Sequence, residues 1–266
     1  MSTYRHDIER KLGSLQFIKG IVYYPSVEST NTAAEKLAHG GSEDWTVVVA
    51  DSQNKGRGRQ GRLWHSPPGV NIYTSCLLKP ALSYEHFPAI SLLTGMVVAI
   101  VVEHFTGCDA ELKWPNDVLA GGKKISGILL ELIHDSQNKP AIVAGIGINI
   151  NSDMEEYPDD LSASATSMKV LTDTTFDRAG ILAFLYRVFH EWYTVYCERG
   201  GFNGIREHYM RRFLMMGRYV HIDNGTERIT GFVKDIDAYG GLVLNSTHDK
   251  ILHIKSGDVH VIPGKE

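Results

Sequence analysis

Long apolar runs, paired cysteines and an excess of positive charge are all missing from this chain of 266 residues. The longest apolar run, Met96 to Val102, is too short to span a bilayer. The first residues, MSTYRHDIERKLG, hold no apolar stretch of the kind a secretory leader needs. Both absences predict a chain without a membrane partner. The three cysteines, Cys76, Cys108 and Cys197, stand far apart with no CxxC pair. They read as reduced thiols, which predicts a cytoplasmic protein. No cluster has the spacing of zinc ligands, so no metal-binding residue is assigned. The net charge of -4, from 27 Lys+Arg against 31 Asp+Glu, argues against a general nucleic-acid binder. No Ser-His-Asp or Cys-His arrangement is apparent, and nothing repeats. With 43% hydrophobic residues the chain can still build a substantial core.

What is present centres on Gln53 to Tyr73, QNKGRGRQGRLWHSPPGVNIY. Arg57, Arg59 and Arg62 alternate with Gly56, Gly58 and Gly61, and Trp64 follows. Glycine allows a backbone to wrap closely around a ligand. Arginine offers planar donors suited to phosphate and carboxylate oxygens, and Trp64 offers a face for a purine. Glycine is also costly to order, which predicts a segment that gains a fixed conformation only with ligand. Two readings of these residues stay open: a loop closing over an anionic, base-bearing ligand, or a solvated Arg/Gly segment that binds RNA.

The rest of the chain alternates between strand and helix patterns. Ile21 to Val27 reads as a strand near a sheet edge, interrupted by Pro25. A helix follows, with Thr32 and Glu35 as a capping box and Gly40-Gly41 as its stop. Its start groups free N–H donors with the hydroxyls of Ser29, Thr30 and Thr32, which fits plain capping as well as ligand binding. Trp45 to Ala50 and Val70 to Lys79 read as strands joined by the basic segment. Phe87 to Phe105 reads as a long buried helix. Lys113-Trp114 ends a short strand, and Pro115-Asn116-Asp117 suits a turn. Gly121-Gly122 turns into a strand that opens with Lys123-Lys124; GGKK lacks the glycine spacing and ending of a P-loop.

Ala141 to Ile150, AIVAGIGINI, is a buried strand. Gly145-x-Gly147 lies inside it rather than after it, so dinucleotide binding is rejected; glycines there allow close approach of a backbone or ligand. Residues 151–166 read as a loop, and Phe176 to Cys197 and Phe202 to Phe213 as helices. From Tyr219 onward come five short strands joined by Asn/Gly/Asp turns, a small all-β unit. The expected organisation is α+β: a mixed-sheet domain flanked by helices over residues 1–216 and a β unit over 217–266.

Three stretches, KGRGRQGRLWHSPPGVNIY, KWPNDVLAGGKKISGILLEL and AGIGININ, in this order resemble the catalytic domain of biotin–protein ligases. The small β unit resembles that family's C-terminal SH3-like barrel. The resemblance implies two steps. Biotin's carboxylate attacks the α-phosphate of ATP, with Mg²⁺, to give biotinyl-5′-AMP. A lysine of a biotin carrier domain then attacks this anhydride. It implies that Ser29, Thr30 and Asn31, with Gln53 and the backbone around Gly56, Arg57 and Gly58, meet biotin's ureido ring. Arg59 and Lys124 fall to the biotin carboxylate and α-phosphate as the catalytic cations. Arg62 falls to the ATP phosphates, Trp64 and Asn149 to adenine, and Asn116 with Asp117 to phosphate or metal-bound water. Lys123 points to the opposite face and is assigned to solvent. Lys113 is left between active-site positioning and an ion pair.

Some members of that family carry an N-terminal helix-turn-helix domain. About twenty residues precede the first strand here, which predicts a ligase without operator DNA, as a monomer or weak homodimer. The nearest alternative is lipoate–protein ligase, whose substrate slot is apolar; the polar Ser29-Thr30-Asn31 and Gln53 favour biotin.

Overall fold

The computed structural model describes residues 3–263 apart from 154, 156, 226 and 247–249. Among the described residues, twelve strands fall into two sheets. The first has the order β1-β2-β3-β7-β6-β5-β4, formed by β1 (Gly20–Tyr24), β2 (Thr46–Ala50), β3 (Ile72–Leu78), β4 (Ala110–Lys113), β5 (Asp117–Ala120), β6 (Lys123–His134) and β7 (Pro140–Ile148). The β1–β2 pair is parallel and the other pairs are antiparallel, so the sheet is mixed. The second is the five-stranded antiparallel unit, with order β11-β10-β9-β8-β12. Its strands are β8 (Tyr219–Asp223), β9 (Arg228–Ile236), β10 (Leu242–Ser246), β11 (Ile251–Ile254) and β12 (Asp258–Val261). The α+β expectation holds, and each expected C-terminal strand is present.

Strand alternation divides the large sheet into two faces. Ile72, Cys76 and Leu78 on β3, with Ile142, Ala144, Ile146 and Ile148 on β7, face the main core. There they meet the buried helices α3 (Ile90–Thr106) and α6 (Arg178–Glu198). The apolar stretch Tyr84–Thr106 is long enough to cross a membrane but two-thirds buried, so it serves as a core helix. On the opposite face, Leu77, Val143 and Ile133 pack under α2 (Thr30–His39), mostly through Ala33, Ala34 and Ala38. Further along that face the side chains shrink to glycine, and the site lies there.

Four local expectations are corrected. The first strand stops at Tyr24, before Pro25, which has no N–H for the ladder. Helix α2 begins at Thr30 with Ser29 in the cap position, not at Thr32 with a Thr32–Glu35 box. Its free N–H groups are met from elsewhere: the Thr30 amide donates to Gln53 Oε1 at 2.9 Å. The helix expected over Phe202 to Phe213 is a short 3-10 turn, Gly201–Gly204, followed by α7 (Arg206–Met210). The chain then turns extended to cover β4, with Leu112 N donating to the Arg212 carbonyl and Leu214 N to that of Leu112. The loop 151–166 contains a short α4 (Asp159–Ser162), with α5 (Met168–Thr172) beyond it. Helix α1 (Thr3–Gly13) was not foreseen, because only Ile8 and Leu12 of its residues are buried.

The β6–β7 hairpin turns through Asp135. Its carboxylate accepts from the amides of Lys139 (3.0 Å) and Gln137 (2.8 Å) and pairs with Lys79 at 3.1 Å. The Lys139 backbone bond, then the Lys79 bond, hold its pKa at about 2. A folded-state pKa below the unfolded one stabilises at neutral pH, and that contribution fades as pH falls from about 4 towards 2. Asp135→Ala is therefore expected to melt below the wild type at pH 7, with the gap closing in acid. A pH series of thermal melts checks this, and a gap independent of pH would rule it out.

Candidate active site

The site is built from three matched rows across β3, β7 and β6. Leu77, Val143 and Glu131 form the first, Ser75, Gly145 and Leu129 the second, and Tyr73, Gly147 and Gly127 the third. The glycines create a shallow floor. A Cβ on Gly145 would overlap the Asn31 amide, and one on Gly147 would overlap the Trp64 indole. Inside a strand, glycine costs stability and packs nothing, so two on neighbouring rows mark a place kept open.

Two cavities adjoin on this floor. The smaller is lined by Ser29, Thr30, Asn31 and Gln53 from one side and by Arg57, Gly127, Leu129, Gly145 and Gly147 from the other. Its wall is a hydrogen-bonded network. Ser75 Oγ lies 2.7 Å from Thr30 Oγ1 and 2.6 Å from Asn31 Oδ1. Asn31 Nδ2 donates to the Leu129 carbonyl (3.1 Å) and to Glu131 Oε2 (2.7 Å). Gln53 Nε2 donates to Ser66 Oγ at 3.0 Å. Ser29, Thr30 and Asn31 are all buried. The larger cavity, about 310 Å³, is lined by the arginine segment, Trp64, Lys113, Asn116, Asp117, Lys124 and Asn149, with Asp258 and His260 from β12.

Lys124 enters this cleft from the start of β6 and pairs with Asp117 at 2.6 Å. Its Nζ also lies 5.4 Å from the centroid of the Trp64 ring, a cation–π distance. The backbone beside it is fixed by Ser164 to Thr166: Lys124 N donates to Ser164 O at 2.8 Å, and Thr166 N to Lys124 O at 2.9 Å. Lys123 is exposed, as alternation predicts. Lys113 lines the cleft. Asn149 is buried, and its Nδ2 donates to the Thr166 carbonyl at 3.0 Å.

The arginine segment has a defined backbone in this structure. It folds back as a tight turn, with Gly58 N donating to Arg62 O at 2.7 Å and Trp64 N to Gly56 O at 2.9 Å. Gly56 is required there, since a Cβ would sit 2.5 Å from the Trp64 carbonyl. Each arginine points to a partner, which offsets the like-charge repulsion the sequence suggested. Arg57 pairs with Glu131 at 3.1 Å and Arg62 with Asp258 at 2.5 Å. Arg59 Nη1 donates to Asn116 Oδ1 and to the Gly257 carbonyl, both at 3.3 Å. Burial lowers the Arg59 pKa, against the raising effect of Asp258 and Asp117. An arginine remains a guanidinium at neutral pH even so. Trp64 lies on the glycine floor between the two cavities, and its Nε1 is buried with no hydrogen-bond partner among the described residues.

Sequence reasoning missed Ser75 and Glu131, the wall from Tyr157 to Ala165, and Gly257, Asp258 and His260 of the C-terminal sheet. Only Glu131 carried a signal: a charge inside the apolar run Ile128 to Ile133, in step with Gly127 and Leu129.

The site is thus a polar pocket opening into a cationic cleft, on a mixed sheet with a small β unit beside it. The model of the biotin/lipoate A/B protein ligase family matches residues 23–149. A bifunctional ligase/repressor of Bacillus spizizenii is 33% identical over 241 residues, 91% of this chain and 74% of that protein. A biotin–[acetyl-CoA-carboxylase] ligase of Paracoccus denitrificans is 32% identical, over 82% of this chain and 90% of that one. The Aquifex aeolicus biotin protein ligase solved with biotin and ATP superposes with a TM-score of 0.78 at 31% identity, covering 92% of this chain and 99% of that one. The chain belongs to the biotin–protein ligase family.

Proposed function

We propose that the two adjoining cavities are the biotin and ATP subsites of one adenylating centre. The chain is a ligase that activates biotin as biotinyl-5′-AMP and transfers it to a lysine of a carrier protein. The network of Asn31, Gln53 and Ser75 on the glycine floor, opening directly onto Lys124, carries this reading. The spare acceptor lone pairs of these groups and the second Gln53 N–H suit a ureido ring, whereas a dithiolane has no polar group to use them. An RNA-binding role for the arginine segment is disfavoured because each of its three arginines already has a protein partner: Glu131 for Arg57, Asn116 for Arg59 and Asp258 for Arg62.

Biotin's ureido ring is assigned to the small cavity, beside Ser29, Thr30, Gln53 and the backbone of Gly56 to Gly58. Its carboxylate extends towards Gly127, Trp64 and Lys124. Adenine is assigned to the wall near Asn149 and Trp64, and the phosphates to Arg59, Arg62 and Asn116. The carboxylate oxygen attacks the α-phosphorus and pyrophosphate leaves. Lys124, drawn from Asp117 to the incoming phosphate, and Arg59 balance the charge that gathers on the equatorial oxygens. In the second step a carrier lysine amine attacks the acyl carbon and AMP leaves. Mg²⁺ enters as part of the nucleotide substrate. No group of three or more His, Cys, Asp or Glu among the described residues could hold a metal ion. Asn116 and Asp117 fit a cation that brings its own phosphate and water ligands.

The carrier is assigned to a biotin-dependent carboxylase, and the setting to the cytoplasm. Residues 1–216 are taken as the catalytic domain and 217–266 as a second domain. ATP–pyrophosphate exchange tests the reading: exchange is expected with biotin and not with lipoate. Exchange with lipoate alone would reverse the assignment.

A further inference from the structure

Glu131 lies just behind the wall of the small cavity and takes no part in the chemistry above. It touches two residues that do line the cavity, Asn31 and Arg57. We propose that Glu131 is a positioning residue for biotin recognition: its carboxylate, shared between Asn31 and Arg57, fixes the ureido end of the subsite. The proposal rests on reading the small cavity as that subsite.

The geometry gives Glu131 two tasks. The first concerns Asn31, whose amide has two possible orientations. A carboxylate and a backbone carbonyl can only accept, so Glu131 and Leu129 together force Nδ2 to face them. Oδ1 is then left towards Ser75 and the floor at Gly145. Without Glu131, only Leu129 O and Ser75 Oγ hold the amide, over a glycine floor with no side chain to limit its movement. The second concerns Arg57, which begins the arginine segment. Arg57 bridges Leu63 across the turn, and Trp64 comes next. Tying its guanidinium to β6 anchors the segment's stem to the sheet.

The location supports a role chosen over packing. Glu131 occupies the row of Leu77 and Val143, where an aliphatic side chain would bury more apolar surface. A carboxylate is kept there at a desolvation cost that its two donors offset. Glu131 is also four residues along β6 from Gly127, about 13 Å at the usual rise. Since Lys124 reaches the floor at Gly127, Glu131 is remote from the reacting phosphate. Its removal should therefore act on biotin binding and leave the chemical step nearly intact.

The test compares Glu131→Ala and Glu131→Gln with the wild type, by calorimetric titration with biotin and by steady-state kinetics. Glu131→Ala is expected to raise the biotin Kd and KM roughly 10- to 100-fold, the scale for losing a hydrogen bond to a charged group. The KM for ATP and kcat should stay within a few-fold, because Arg59 and Arg62 keep their own partners in Asn116, Gly257 and Asp258. Glu131→Gln keeps an acceptor for Asn31 but not the charge for Arg57, so it should fall between the two. With Arg57→Ala added, the alanine effects should be less than additive, because they share one contact. Biotin affinity in Glu131→Ala equal to the wild type would overturn the proposal. So would parallel losses in biotin KM, ATP KM and kcat, which mark general disruption. If the alanine variant does not fold, Glu131→Gln decides, and wild-type biotin affinity there counts against it. A wild-type protein that binds no biotin would instead remove the subsite reading itself.

Discussion

Lys124→Ala is expected to give a folded protein whose adenylation is slower by about 10²–10³-fold, the usual loss for one donor aimed at developing charge. Lys124 lies at the junction of the two cavities. Its only side-chain ion pair among the described residues is with Asp117, and its stem crosses Gly127 next to Trp64. The fold should survive, because the backbone of this residue is held independently by Ser164 and Thr166. Removing the ammonium leaves Asp117 as an uncompensated negative charge facing the triphosphate, which adds to the loss. Lys123→Ala removes an exposed lysine from the other face of the strand and serves as the control. Single-turnover formation of biotinyl-AMP, with melting curves for both variants, makes the comparison. Near-normal pyrophosphate exchange by Lys124→Ala would end the assignment.

Much of the architecture was legible because alternation and turn chemistry carry it. Val47 to Val49, the AIVAGIGINI strand and the five C-terminal strands all appear where their patterns place them. Glycine inside a strand correctly signalled close approach: Asn31 sits over Gly145 and Trp64 over Gly147. What stayed hidden depends on partners distant in sequence. The start of α2 is set by Gln53, more than twenty residues later, and this overrode the local Thr32–Glu35 pattern. Asn31, expected to offer its amide to a ligand, has both N–H groups committed to Leu129 and Glu131. The partners of the arginines, Glu131, Asn116, Gly257 and Asp258, could not be read from the segment because they lie 57 to 198 positions away. The C-terminal sheet likewise showed no sign of sharing the cleft. Its seat depends on Trp114 Nε1 donating to the Gly240 carbonyl at 2.9 Å, where a Cβ on Gly240 would press within 2.9 Å of Ala89 Cβ.

Arg59→Gly is expected to separate the two half-reactions. Arg59 is the arginine that joins three parts of the cleft: its own segment, Asn116 after β4, and the Gly257 carbonyl before β12. Its guanidinium therefore helps hold the segment and the C-terminal sheet together over the nucleotide subsite. The variant keeps Lys124, so biotinyl-AMP should still form. Retention of that intermediate is what suffers. A hydrogen bond to a charged group is worth about 1.5–3 kcal/mol. That range corresponds to release faster by about 10- to 150-fold, if the loss falls on the off-rate as it does for most contact mutations. Among the described residues, Arg62–Asp258 is left as the side-chain ion pair from the arginine segment to the C-terminal sheet, and a largely exposed pair of this kind contributes little. The freed anhydride is an activated acyl group, so it should biotinylate lysines of proteins that were never docked. Rapid dilution of the preformed intermediate gives its dissociation rate, and labelling of an added bystander protein reports the escape. If the variant holds biotinyl-AMP as long as the wild type and labels no bystander, Arg59 does not close the cleft. That task then passes to Arg62 and its pairing with Asp258.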